Sequence, residues 1–211
     1  MSSTPNEAPA PEGSATRSDV ESAHPGDGPP VRFVGWTLSD ANLQGLDLRE
    51  CVFDRCRAGR TDFSACDLAE ACFRSCDLNN TLWRRAALSS ATFHDCKLTG
   101  AQIVDARTFG LVFERCLLID AQLHGVSFRR MELNHIDFQG ADLTATDFRE
   151  AVLTGCNLRD ATVTNARFEG ADLRGADLGN LRLIDASRFR GAIISKQQAA
   201  VLLSGLGLRV L

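Results

Sequence analysis

The sequence predicts an all-β solenoid wound into square coils, and three observations carry that prediction. From Val31 to Arg190 the chain parses without insertion into 32 five-residue units. The third residue of the unit is Leu, Phe, Ile, Val or Trp in 29 of them, with Ala58, Thr108 and Arg188 as the exceptions. No proline follows residue 30, so backbone N–H groups are available to a continuous hydrogen-bonded ladder. A helix repeats its apolar residues at three and four, and a strand at two. A period of five, with one large and one small inward residue per unit, asks instead for a corner every five residues. Four corners close a coil of 20 residues, and coils stack at the strand spacing of ~4.8 Å. The 32 units make about eight coils, a rod of roughly 40 Å.

The elements follow in chain order. Residues 1–30 hold all six prolines among Ser, Ala, Glu and Gly, with Val20 the only aliphatic beyond Met1 and the alanines. That composition buries too little apolar surface to offset ordering entropy, which predicts a disordered tail. Residues 31–190 are the coil. Trp36 takes a first position that Ala or Cys usually fills, and is large enough to plug the first coil. At the far end Arg188 displaces the core residue, and Phe189 substitutes for it by a slip. Residues 191–211 differ in kind. Ser195 with Gln198 three later is a capping box, a short helix runs from Lys196 to about Ser204, and Gly205 ends it. Leu206, Leu208 and Val210 then alternate with Gly207 and Arg209 as an edge strand does. The segment reads as a cap or, more sharply, as a dimer interface through Val201, Leu202, Leu203, Leu206, Leu208 and Val210, because so much apolar surface exceeds what one coil edge covers.

Residues 20 apart fall above one another. One third-position column runs Phe33, Phe53, Phe73, Phe93 and Phe113 before turning to leucine, and stacked rings suit the coil spacing. One first-position column runs Cys56, Cys76, Cys96 and Cys116, then Ile136, then Cys156. The usual zinc spacings are absent and no His shares that column, so these cysteines read as small core residues and no metal or cofactor is expected. Asp recurs at second positions, at 47, 62, 67, 77, 137, 142, 147, 172 and 177. A short carboxylate there accepts hydrogen bonds from turn N–H groups, so these residues are partly structural.

The units ADLTA (141–145), ADLRG (171–175) and ADLGN (176–180) match the A(D/N)LXX motif, and in this the chain resembles the pentapeptide-repeat family over about 160 residues. The resemblance implies a right-handed quadrilateral β-helix. The Gln-Ala, Leu-Leu and Leu-Gly-Leu-x-Val ending is similar to the close of the Qnr-type and MfpA-type fluoroquinolone-resistance members. In those proteins two rods join tail to tail, imitate duplex DNA and bind DNA gyrase. The resemblance therefore implies a homodimer that binds DNA gyrase or another type II topoisomerase and protects it from fluoroquinolones or another poison. The uninterrupted frame is nearer the MfpA type.

Charge bears on that implication. Of the formal net charge of −4, all belongs to residues 1–30, while the remainder carries 22 acids and 22 bases. The face bearing the cysteine column is the more acidic one, with Asp40, Asp77, Asp120, Asp137, Asp160 and Asp177 against Arg57, Arg60, Lys97 and Arg159, and it is the candidate contact surface. A rigid scaffold with a different protein partner is the alternative, and suits a balanced rod better. No catalytic constellation or phosphate loop is visible, so an enzyme is not expected. Mild acidity disfavours direct nucleic-acid binding. With no membrane-length apolar stretch and no secretory signal, a cytoplasmic location is expected, where thiols stay reduced.

Overall fold

The computed structural model describes residues 5–26, 28–179, 186–205 and 209. They divide into two compact units, 1–117 and 118–211, built by one rule. Every fifth residue from 35 to 170 has a positive φ, between 50° and 72°. Eight of these are glycine and twenty are not, but none is β-branched, the class for which the left-handed region is most strained. The left-handed residue turns each corner, and at many corners a hydrogen bond closes it, as from Ala41 N to Leu38 O at 3.0 Å. Between corners the backbone pairs with the neighbouring coil: Arg57 N donates to Trp36 O at 2.8 Å, and Leu38 N donates to Arg57 O at 2.6 Å. The product is a parallel quadrilateral β-helix, right-handed, with a short C-terminal helix.

The first unit opens with strand β1 (Asn6–Ala8) and helix α1 (Arg17–Ala23). Strands β2 (Val31–Val34), β3 (Val52–Asp54), β4 (Cys72–Arg74), β5 (Thr92–His94) and β6 (Val112–Glu114) then stack in parallel. Their register places Phe33, Phe53, Phe73, Phe93 and Phe113 above one another. The rings lie 4.9, 4.7, 4.7 and 5.0 Å apart, and each is buried. Trp83 stacks on Phe63 at 4.4 Å and meets Phe73 edge-on. Small inward residues at the first position bond backward: Thr61 Oγ1 donates to Leu38 O at 2.7 Å, and Cys56 Sγ donates to Phe33 O at 3.3 Å.

The second unit carries strands β7 (Glu132–Asn134), β8 (Val152–Asn157) and β9 (Asp172–Asp177), a 3-10 turn at Ala186–Phe189 and helix α2 (Lys196–Gly205). Leu133, Leu153 and Leu173 occupy its core. Phe128, Phe148 and Phe168 stack beside them, and Phe189 continues the pile at 4.9 Å from Phe168. Phe189 thus takes the inward place that Arg188 vacates, as the sequence anticipates. Ser195 and Gln198 form the capping box: Ser195 N donates to Gln198 Oε1 at 2.7 Å, and Gln198 N to Ser195 Oγ at 3.2 Å. Gln198 Nε2 also donates to Leu173 O and Ala176 O, which ties α2 to the last coil.

The expectation of a disordered tail over residues 1–30 is corrected by β1 and α1. Strand β1 extends the first sheet in parallel register, with Ala8 opposite Phe33. Ala15 N donates to Thr37 O, and Trp36 Nε1 donates to Ala8 O at 3.2 Å. Helix α1 starts at a reciprocal Thr16–Asp19 capping box and buries Val20 completely. The composition argument counted only the tail's own apolar surface. It left out the first coil, whose edge offers unpaired backbone groups and an indole needing cover. Trp36 is therefore not an outer plug, since the N-terminal segment lies over it.

Candidate functional site

The candidate acidic face begins from corners and second positions of the repeat. All nine second-position aspartates accept a hydrogen bond from the N–H two residues on, as from Asn79 to Asp77 at 3.2 Å and from Gln139 to Asp137 at 3.0 Å. Asp77, Asp137 and Asp177 therefore serve the coil first. Asp40 and Asp160 hold left-handed corners, as does Asp120.

Within the first unit, Asp40 is matched by the Arg60 guanidinium at 2.6 Å, which holds its carboxyl below the usual carboxylate range. Asp77 makes no ion pair among the described residues. Within the second unit, Asp137 lines up with Asn157 and Asn157 with Asp177 on successive coils. Asn157 Nδ2 donates to Asp137 at 2.9 Å, and Arg159 pairs with Asp177 at 2.8 Å. Asp120 and Asp160 are exposed and enter no ion pair among the described residues. Of the six candidates, those without an ion pair among the described residues are thus Asp77 in the first unit and Asp120, Asp137 and Asp160 in the second.

The cysteine column is interior. Cys56, Cys76, Cys96 and Cys116 are buried in the first unit and Cys156 in the second, and all eight thiols are free. Burial pushes Cys51, Cys66 and Cys156 up to about 11. Cys56 is held up by its hydrogen bond with Cys76 and by burial. A thiol protonated in this way is a poor nucleophile and a poor ligand. Among the described residues no group of His, Cys, Asp or Glu is arranged to hold a metal ion, and no helix is long and apolar enough to cross a membrane.

At the C-terminal end, Leu202 of α2 packs inward, whereas Val201 is 51% and Leu203 37% exposed, with Ile193 beside the last coil at 48%. Leu206, Leu208 and Val210 lie outside the described residues. Sequence reasoning missed one surface residue entirely. Phe109 is 87% exposed while ten of the other phenylalanines are fully buried. The signal was present in the unit ARTFG (106–110), where Thr stands at the inward third position and Phe at the outward fourth. A phenyl ring left in water forgoes roughly 1.5–3 kcal/mol of burial.

Comparison with known proteins places this geometry. A family model described as a pentapeptide repeat region matches residues 30–103 and 111–189. A trypsin-treated variant of QnrB1, a plasmid-mediated fluoroquinolone resistance protein, is 25% identical, with a TM-score of 0.67 over 86% of this chain and 88% of that one. Full-length QnrB1 is 23% identical, with a TM-score of 0.64 over 84% of this chain and 88% of its own, a likeness of fold. No curated protein sequence matches the chain.

Proposed function

The chain belongs to the pentapeptide-repeat family, and on that premise we propose that it is a Qnr-like, non-enzymatic protein that binds DNA gyrase or another type II topoisomerase. Its consequence is protection against fluoroquinolones or another topoisomerase poison. The observation that carries the reading is the likeness to QnrB1 across most of both chains at 25% identity. The contact surface is the acidic face of the second unit, where Asp120, Asp137 and Asp160 stand free of ion pairs and imitate a row of phosphates. Asp40 and Asp177 contribute less, because Arg60 and Arg159 offset them, and Asp77 stands alone in the first unit. The exposed apolar side chains Val201 and Leu203 of α2 join two copies tail to tail. The protein works in the cytoplasm, where eight free thiols persist.

The test is supercoiling by purified gyrase with and without ciprofloxacin. Wild-type protein at micromolar concentration is expected to alter supercoiling or relieve the drug, and Asp120→Arg with Asp160→Arg to lose the effect while staying folded. No effect of the wild type removes the topoisomerase reading. Light scattering of Val201→Asp with Leu203→Asp is expected to give monomers, and retained dimers would move the interface elsewhere. A rigid scaffold for a different protein is the second reading, favoured by the balance of 22 acids and 22 bases outside the first 30 residues.

A further inference from the structure

The first unit carries a surface feature that neither the coil nor the acidic face requires. Phe109 projects outward at 87% exposure in a corner turn, and Arg107, two residues before it, is exposed as well. Arg107 is bridged to Ala87 of the neighbouring coil, where Arg84 and the corner residue Arg85 stand exposed just upstream. The backbone fixes that neighbourhood: Arg107 N donates to Ala86 O at 2.9 Å, and Ser90 N donates to Phe109 O at 2.8 Å. None of the three arginines enters an ion pair among the described residues. Arg84 donates to the Gln102 side-chain oxygen at 3.2 Å and its charge favours the Asp62 carboxylate, so it serves the preceding face of the coil. Elsewhere on the coils of this unit Arg32, Arg49, Arg55, Arg60 and Arg115 are each matched to a carboxylate, whereas Arg57 and Arg74 make no ion pair among the described residues. On these two coils Ala87, Ser89, Ser90 and Gly110 are small and uncharged, and Asp105 is the acid that precedes Arg107 in the chain.

We propose that Phe109 with Arg85 and Arg107 is a docking site for an acidic protein segment that carries an apolar side chain. An exposed aromatic ring among unpaired guanidinium groups is the composition of a protein-interface hot spot, where the ring fills an apolar contact and arginine takes carboxylates in its planar fork. The flat, small-residue ground lets an extended segment lie close to the coil. Charge complementarity selects an acidic partner. A single-stranded nucleic acid fits less well, since the chain as a whole is at −4 and Asp105 stands in the patch. This site shares no residue with the acidic face assigned to the topoisomerase, so the two stand or fall separately.

The test uses the full chain and a fluorescein-labelled octapeptide, three acidic residues on each side of Leu-Leu, read by anisotropy at low salt. Two further probes are the same peptide with Ser-Ser at its centre and an oligo-dT strand. Binding of the Leu-Leu peptide is expected to weaken about tenfold or more in Phe109→Ala and in the double variant Arg85→Gln, Arg107→Gln. It is also expected to weaken on the Ser-Ser peptide. The urea midpoint of Phe109→Ala is expected to match the wild type, because an exposed ring adds little to the fold. Three results would overturn the proposal: no binding at about 1 mM peptide, affinity unchanged by Phe109→Ala, or oligo-dT bound more tightly than the Leu-Leu peptide.

Discussion

Replacing Phe73 with alanine tests the stacked core most directly. Phe73 is fully buried, with Phe53 and Phe93 parallel to it at 4.7 Å and the Trp83 ring edge-on at 5.5 Å. Truncating such a ring costs about 3–5 kcal/mol in transfer and cavity terms. Two stacked pairs, worth about 0.5–1.5 kcal/mol each beyond buried area, place this site at the upper end, about 5 kcal/mol. Each coil contacts only its neighbours, so the loss is felt at both of its interfaces. Urea denaturation followed by circular dichroism should show the midpoint falling by on the order of 2 M. Trp83 fluorescence should report the same transition, because the indole packs on the deleted ring. Phe73→Leu is the control: leucine fills the equivalent column in the second unit at Leu133, Leu153 and Leu173, and this variant should cost about 1.5 kcal/mol or less. A loss below about 1 kcal/mol for Phe73→Ala would mean that the ring does not sit in the core and that the five-residue frame is misassigned.

Three further outcomes are expected. Val20→Asp puts an unpaired charge into a completely buried site, at about 3 kcal/mol or more; helix α1 should detach and Trp36 become quenchable by acrylamide, while unchanged quenching would show that the N-terminal segment does not cover the indole. Cys156 is raised to about 11 in the fold, so an unfolded chain ionises this thiol from near pH 9 while the fold keeps it protonated. Its contribution, about 3 kcal/mol, is intact below pH 9 and lost as pH rises through 11; Cys156→Ala should flatten the fall in urea midpoint between about pH 8 and pH 10.5, and an unaltered fall would remove the claim. Ala65 turns a corner at φ 57°, so Ala65→Gly should stabilise by about 0.5 kcal/mol and Ala65→Val destabilise by about 1–2 kcal/mol; effects of the same sign would show that the corner is not strained.

Much of the coil was legible because the repeat makes each residue's position a matter of counting. The phenylalanine column, the cysteine column, the Asp turns and the slip from Arg188 to Phe189 all follow from residues 20 apart lying on one another. The candidate site was less legible. Counting charges along a face assigned six aspartates to it, but pairing depends on which arginine reaches across a coil. Arg60 and Arg159 reach Asp40 and Asp177, and among the described residues no base does so for Asp120 or Asp160. Phe109 was overlooked because the frame treats a tolerated exception at Thr108 as a missing core residue and does not ask where the displaced ring goes.

The five-residue period determined the coil, its inward residues and its corners, because one local rule repeated along the chain leaves the backbone few other ways to satisfy its hydrogen bonds. It could not determine what happens at the ends. Residues 5–26 are too polar and proline-rich to order on their own, and they order only because the first coil presents an open edge and the Trp36 ring. That decision belongs to the tertiary structure, since the free energy that holds β1 and α1 comes from a surface that exists only once the coil has formed. The same holds at the corners: a left-handed φ at twenty non-glycine residues is unfavourable locally and is sustained by the ladder bonds on either side.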